Sequence, residues 1–130
     1  MYVLVVLVLL HVTMSQVCYC NEDGSNLKDL LQSWSGCEDV VCNDKSIVGA
    51  LPKIDQSNWV LKSLYLEYNQ FDDISSVSAF KNLTSLWVDN NKLRDVSVLR
   101  DMPWLRSIDV SSNFLTSIDP ICEIPELVEL

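Results

Sequence analysis

The 130-residue chain has a single histidine, His11, which directly follows an apolar run near the N-terminus. If that run is a removed leader, no imidazole remains to serve as general base, to activate a nucleophile or to bind a metal. Glycine is nearly as scarce. Gly24, Gly36 and Gly49 are isolated and make no phosphate-cradling loop. Basic residues are few: 9 Lys and Arg stand against 18 Asp and Glu, for a net charge of -9. Nucleic-acid binders concentrate Lys and Arg, so nucleic acid is not an expected partner. Electrostatic docking on anionic membranes is excluded on the same ground. A partner steered by charge is basic, although acidity also simply keeps an extracellular domain soluble. The carboxylate pairs Glu22-Asp23 and Asp72-Asp73 sit in turn-like stretches and read as solvated. No calcium-loop spacing is present. No catalysis, cofactor or metal is expected.

Long hydrophobic runs are also scarce. Residues 3–10 read VLVVLVLL, too short for a bilayer-spanning helix of about 20 residues. The run fits the apolar core of a signal peptide over residues 1–15, with Thr13-Met14-Ser15 placing cleavage after Ser15. The short Met1-Tyr2 start lacks a Lys or Arg, and the competing reading is a buried strand at a domain start. A membrane link requires a span beyond residue 130.

What the chain does have is a repeat. Leu61, Leu83 and Leu105 are each 22 residues apart, and from each the sequence follows L-x-x-L-x-L-x-x-N-x-L. The copies run Leu61, Leu64, Leu66, Asn69, Phe71; then Leu83, Leu86, Val88, Asn91, Leu93; then Leu105, Ile108, Val110, Asn113, Leu115. The alternating centre predicts a short strand, with Leu64 and Leu66 inward and Tyr65 and Glu67 outward. Each Asn can satisfy backbone groups of its own turn and the next, so it can be buried. Apolar residues then recur every third position: Phe71, Ile74, Val77, Phe80; Leu93, Val96, Leu99, Met102; Leu115, Ile118, Ile121, Ile124. Spacing of three suits 3₁₀ turns or a short irregular helix on the return path. No unit buries its apolar edge alone, so units must stack.

The pattern resembles the short, 22-residue class of leucine-rich repeats, found in bacterial internalins and in a phosphatase regulatory subunit. The resemblance implies an α/β solenoid, with a parallel β-sheet on the concave face and 3₁₀ or short helical turns on the convex face. The expected organisation is a leader over 1–15, a cysteine-rich cap over 16–60 and repeats over 61–130. The repeats divide as 61–82, 83–104 and 105–126, with a fourth beginning at Leu127. Val128 and Leu130 leave an apolar end open, which reads as a piece of a longer protein.

Cys18, Cys20, Cys37 and Cys42 read as two disulfides in a secreted chain. Their C-x-C and C-x₄-C spacings are poor for zinc. The segment resembles the cysteine-rich N-terminal cap of extracellular leucine-rich-repeat proteins, which shields the end of the solenoid from water. Three connectivities are open, and Cys18–Cys37 with Cys20–Cys42 is favoured. Val40-Val41-Cys42 lies one 22-residue period before Leu64, and Ile47, Leu51, Pro52 and Ile54 lead into the first repeat. Between the cysteines, Leu27, Leu30, Leu31 and Trp34 have helical spacing, with Ser25 as N-cap and Gly36 as stop. That helix packs over the cap core rather than binding a partner.

Outward residues stack in columns: Ser63, Ser85, Ser107; Tyr65, Trp87, Asp109; Glu67, Asp89, Ser111; Tyr68, Asn90, Ser112. Lys62 and Arg106 lie at the margin. Aromatics beside charges are typical of interface cores, so the candidate partner-binding residues are Tyr65, Glu67, Tyr68, Trp87, Asp89, Asn90 and Asp109. The competing reading is cross-strand packing that only stabilises the sheet. Asn82-Leu83-Thr84 is an N-glycosylation sequon. Cys122 is the odd cysteine, expected as a half-buried free thiol, or bonded to a cysteine beyond residue 130 or to another chain. The disulfide-linked dimers among secreted leucine-rich-repeat proteins of insect immunity are similar in kind.

Together these readings give a secreted or cell-surface protein-binding module with a recognition role, in immunity or as part of a receptor. An intracellular regulatory scaffold, like the phosphatase subunit, is the alternative. It requires residues 1–15 to be no leader and all cysteines to stay reduced.

Overall fold

The computed structural model describes residues 15–32 and 35–130. The apolar run, His11 and Trp34 lie outside them, as does all of the expected leader except Ser15. Five three-residue strands form one parallel sheet in the order β1-β2-β4-β6-β7. They are β1 (Val17–Tyr19), β2 (Asp39–Val41), β4 (Ser63–Tyr65), β6 (Ser85–Trp87) and β7 (Ser107–Asp109). The register aligns Val40, Leu64, Leu86 and Ile108 across four strands, and all four have no exposed surface. Fully burying a Leu or Ile contributes about 2 kcal/mol, and here all four belong to one core cluster that runs through the stacked units. Leu66 and Val88 form a second inward row, and Leu61, Leu83 and Leu105 a third. Stacking therefore supplies the core that no unit makes alone.

The return path matches the three-residue spacing in the first two units. The 3₁₀ helices Ser75–Ala79 and Ser97–Asp101 bury Phe71, Ile74, Val77 and Phe80, then Leu93, Val96, Leu99 and Met102. The third unit departs. Leu115 is only partly buried and Ile118 is 47% exposed, while Ile121 and Ile124 are buried. Its return segment is the α-helix α2 (Asp119–Cys122), with Pro120 in its first turn. As the second helical residue, Pro120 has its φ preset and lacks only an N–H that has no partner within the first turn.

The repeated asparagines form a ladder. Asn69 Nδ2 donates to Cys42, Leu66 and Glu67 carbonyls, and its Oδ1 accepts from the Lys45 and Ile47 amides. Asn91 bridges Phe71 N to the Leu66, Val88 and Asp89 carbonyls. Asn113 bridges Leu93 N to Val88, Val110 and Ser111 in the same way. Each Asn thus ties its own turn to the preceding unit, not to the next as expected. The side chain follows its own strand, so the neighbouring turn within reach is the one already laid down.

The cap is a continuation of the sheet. Disulfides join Cys18 to Cys37 and Cys20 to Cys42, the favoured connectivity. Val40 pairs with Leu64, a spacing of 24, so Cys42 takes the place of Leu66 rather than of Leu64. The two extra residues lie in the turn between β2 and β3 (Val48–Ala50), because Val48 already pairs in parallel with Gln70 of β5 (Gln70–Asp73) at the ordinary spacing of 22. The cap helix α1 covers Leu27–Leu31 only. It has Asn26, not Ser25, at its N-cap, with no side-chain capping bond, and it ends at Gln32, ahead of Gly36. Asn26 instead accepts from the Asn21 amide and is thereby used in the preceding turn. Gly24 in that turn has φ +69, and a side chain there would run into Ile47.

Candidate functional site

The concave sheet face carries one column of outward residues: Tyr19, Val41, Tyr65, Trp87 and Asp109, each paired in register with the next. Tyr65 and Trp87 lie with parallel rings 6.4 Å apart. Both remain half-exposed, so the stack is a sheet-stabilising contact that still offers ring surface. Tyr19, 68% exposed, extends this aromatic column into the cap and was not singled out from sequence. The C-Y-C alternation around it is the signal that places it on the same face.

Glu67, Asp89 and Asn90 do not lie in the strands, which end at Tyr65 and Trp87. The ladder nonetheless continues past them, with Leu66 N donating to Trp87 O and Tyr68 N to Asp89 O. Glu67 and Asp89 therefore still follow the sheet. Tyr68, Asn90 and Ser112 turn the corner out of it, with φ of 57°, 54° and 51°. Asn tolerates that left-handed geometry better than Tyr or Ser. Asn90 Nδ2 also donates to Asp89 Oδ2, and Ser111 N to Asp109 Oδ1. Tyr68 is 61% exposed and sits at the rim of the face.

Glu67 is electrostatically the most perturbed member. Burial pushes its carboxyl up from the ordinary 4.5, and the neighbouring charges of Asp89 and Asp109 push the same way. Its own backbone N–H and the Asn43 side chain oppose the shift. One carboxylate oxygen, Oε2, has no hydrogen-bond partner. A carboxyl held more tightly protonated in the folded state favours folding below its unfolded pKa. That contribution is lost as pH rises through the folded value. Glu67→Gln is therefore expected to raise the thermal midpoint at neutral pH, and its advantage to close as pH falls toward 4.5. A midpoint that is unchanged at every pH would show that Glu67 carries no such penalty.

At the margin, Lys62 Nζ meets Glu38 Oε2 at 2.8 Å, a bond that holds Glu38 below its usual range. Arg106 is exposed, and its carbonyl accepts from the Val128 and Glu129 amides. Asn82 is exposed in the turn before β6, away from the strand face. Cys122 is exposed, not half-buried, because α2 turns Ile121 inward and its neighbour outward. Sequence reading also missed Asn58. It is fully buried, donates to the Leu31 carbonyl and accepts from the Val60 and Leu61 amides. It pins the end of α1 to the start of the first repeat. Among the described residues no helix is long and apolar enough to cross a membrane.

A family model described as Leucine Rich repeats (2 copies) matches residues 60–101. The fold is shared with the crystal structure of an internalin (inlF) from Listeria monocytogenes str. 4b F2365. That match has a TM-score of 0.66 and 24% identity, over 82% of this chain and 30% of that one. An internalin C2 (inlC2) from the same organism gives a TM-score of 0.61 and 24% identity, over 83% of this chain and 48% of its own. The chain thus spans less than half the length of either. No curated protein matches it.

Proposed function

We propose that this leucine-rich-repeat chain is a secreted or cell-surface recognition module whose concave face binds a protein partner carrying basic side chains. Residues 1–15 are its leader, 16–60 its cap and 61–130 its repeats. One observation carries the reading. The stacked, half-exposed Tyr65–Trp87 pair is bordered by Glu67, Asp89 and Asp109 on the same face. An aromatic face attracts a guanidinium or ammonium by about 1–2 kcal/mol when water is excluded. Carboxylates alongside then take up its N–H groups in charge-assisted bonds. Aromatic centres bordered by charges are the usual content of binding hot spots. Two disulfides in the cap support an oxidising compartment.

The test uses labelled peptides of one length, arginine-rich, acidic or neutral, titrated against the folded protein by fluorescence anisotropy. The arginine-rich peptide is expected to bind, more weakly as salt rises. Trp87→Ala and Asp89→Asn should each weaken it about tenfold, about 1.4 kcal/mol. Asp72→Asn, which changes the charge equally on the exposed end of β5, should leave affinity unchanged. Equal losses in Asp89→Asn and Asp72→Asn would mean bulk attraction to an acidic protein and would sink the reading. Tight binding of an acidic or neutral peptide, still abolished by Trp87→Ala, would keep the face and discard the basic partner.

A further inference from the structure

We propose that Asn82 carries an N-linked glycan whose first sugar rests on the indole of Trp59. Trp59 is 62% exposed, a large apolar surface that neither the sheet nor the core explains. Its carbonyl accepts a hydrogen bond from Asn82 Nδ2 at 2.6 Å, so the sequon asparagine lies directly against the Trp59 backbone. Asn82 is itself exposed while Leu83 is fully buried. The sequon therefore hangs outward from a fixed anchor. Thr84 Oγ1 donates to the Lys62 carbonyl, and Lys81 N donates to the Asn58 carbonyl. Both bonds fix the flanks of the site to the preceding unit.

The chemistry fits the contact. A primary amide has two N–H hydrogens. In transfer from a polyprenyl-diphosphate-linked oligosaccharide, the sugar C1–O bond to the diphosphate breaks and an N–C1 bond to Asn82 forms. One amide proton leaves, and the lipid diphosphate departs with the electron pair. The remaining N–H still donates to the Trp59 carbonyl, so modification keeps the observed bond. The sugar then begins beside Trp59, and the apolar C–H face of a pyranose packs on an aromatic ring. The glycan covers the lateral edge made by the turns before β4 and β6, leaving the concave face open.

The inference rests on passage through a secretory compartment, so the test reads that separately. The full chain is expressed in eukaryotic cells, and the secreted protein is weighed intact, with and without peptide-N-glycosidase and reducing agent. The expected product has Cys18, Cys20, Cys37 and Cys42 oxidised and a glycan removable by the enzyme. Thr84→Ser should keep the glycan, and Thr84→Ala and Asn82→Gln should lose it. Trimming to one sugar should preserve the melting midpoint, and the bare chain made under tunicamycin, which leaves Asn82 an amide, should melt about 3 °C lower. Trp59→Ala should erase that difference, and Trp59→Tyr should retain it. Oxidised cysteines with a bare Asn82 would overturn the glycan alone. Free thiols with a bare Asn82 would overturn the secreted reading with it. A glycan whose absence in the tunicamycin-treated chain costs the same in Trp59→Ala would overturn the stacking.

Discussion

Asn91→Ala is expected to lower the unfolding free energy by about 3 kcal/mol, measured by urea denaturation. The amide has four bonds: its Oδ1 accepts from Phe71 N, and its Nδ2 donates to Leu66, Val88 and Asp89 carbonyls. The losses are unequal. The Leu66 carbonyl keeps Asn69 and the Val88 carbonyl keeps Asn113 as donors. Phe71 N–H, on a residue with no exposed surface, loses its side-chain acceptor in a dry interior. An orphaned buried donor costs about 1–3 kcal/mol, and each lost bond about 1 more. Asn113 makes the same set of bonds but is partly exposed, so water can replace the amide. Asn113→Ala should cost about 1 kcal/mol. Asn91→Asp keeps an acceptor for Phe71 N but turns a charge toward three carbonyls. It should be at least as damaging at neutral pH and partly relieved in acid. Equal costs at Asn91 and Asn113 would show that burial does not set the worth of the ladder.

The repeat was legible because its information is local. Leu64, Leu66 and Asn69 recur at fixed offsets, and a period of 22 leaves one way to stack them. The columns Tyr65–Trp87–Asp109 and Ser63–Ser85–Ser107 follow directly from that period and appear in the register. What failed was set by contacts across the chain. A 22-residue period carried into the cap aligns Cys42 with Leu64, whereas two more residues separate the strands there. The β3–β5 pair has no periodic signature, since Val48–Ala50 becomes a strand only against Gln70–Asp73. Asn58 looked like any loop polar residue until α1 was brought over it. At the face, the residue types were readable, but the corner geometry of Tyr68 and Asn90 was not. Tyr at positive φ runs against its own preference and is held there by the turns on either side.

The second large effect lies in the cap. The Cys20–Cys42 bond closes a loop with a sequence separation of 22, and Cys18–Cys37 one of 19. On the chain-entropy account each contributes about 3 kcal/mol by limiting the unfolded ensemble. They are not equivalent in the folded state. Cys42 has no exposed surface and fills the row of Leu66 and Val88, whereas Cys18 is only partly buried. Cys20→Ala/Cys42→Ala therefore removes a cross-link and leaves a gap in the stacked core, and should cost more than Cys18→Ala/Cys37→Ala. The place of the loss follows from the architecture. Each unit in a solenoid touches only its neighbours, so a weakened cap frays without dissolving the far end. Hydrogen exchange should show amides of Val17–Tyr19 and Asp39–Val41 losing protection first, while those of Ser85–Trp87 stay protected. β2 covers the Leu64 row on one side, so β4 should follow the cap at higher denaturant. Protection lost evenly from β1 to β7 would mean that the five strands unfold as one unit and that the cap is no separable shield.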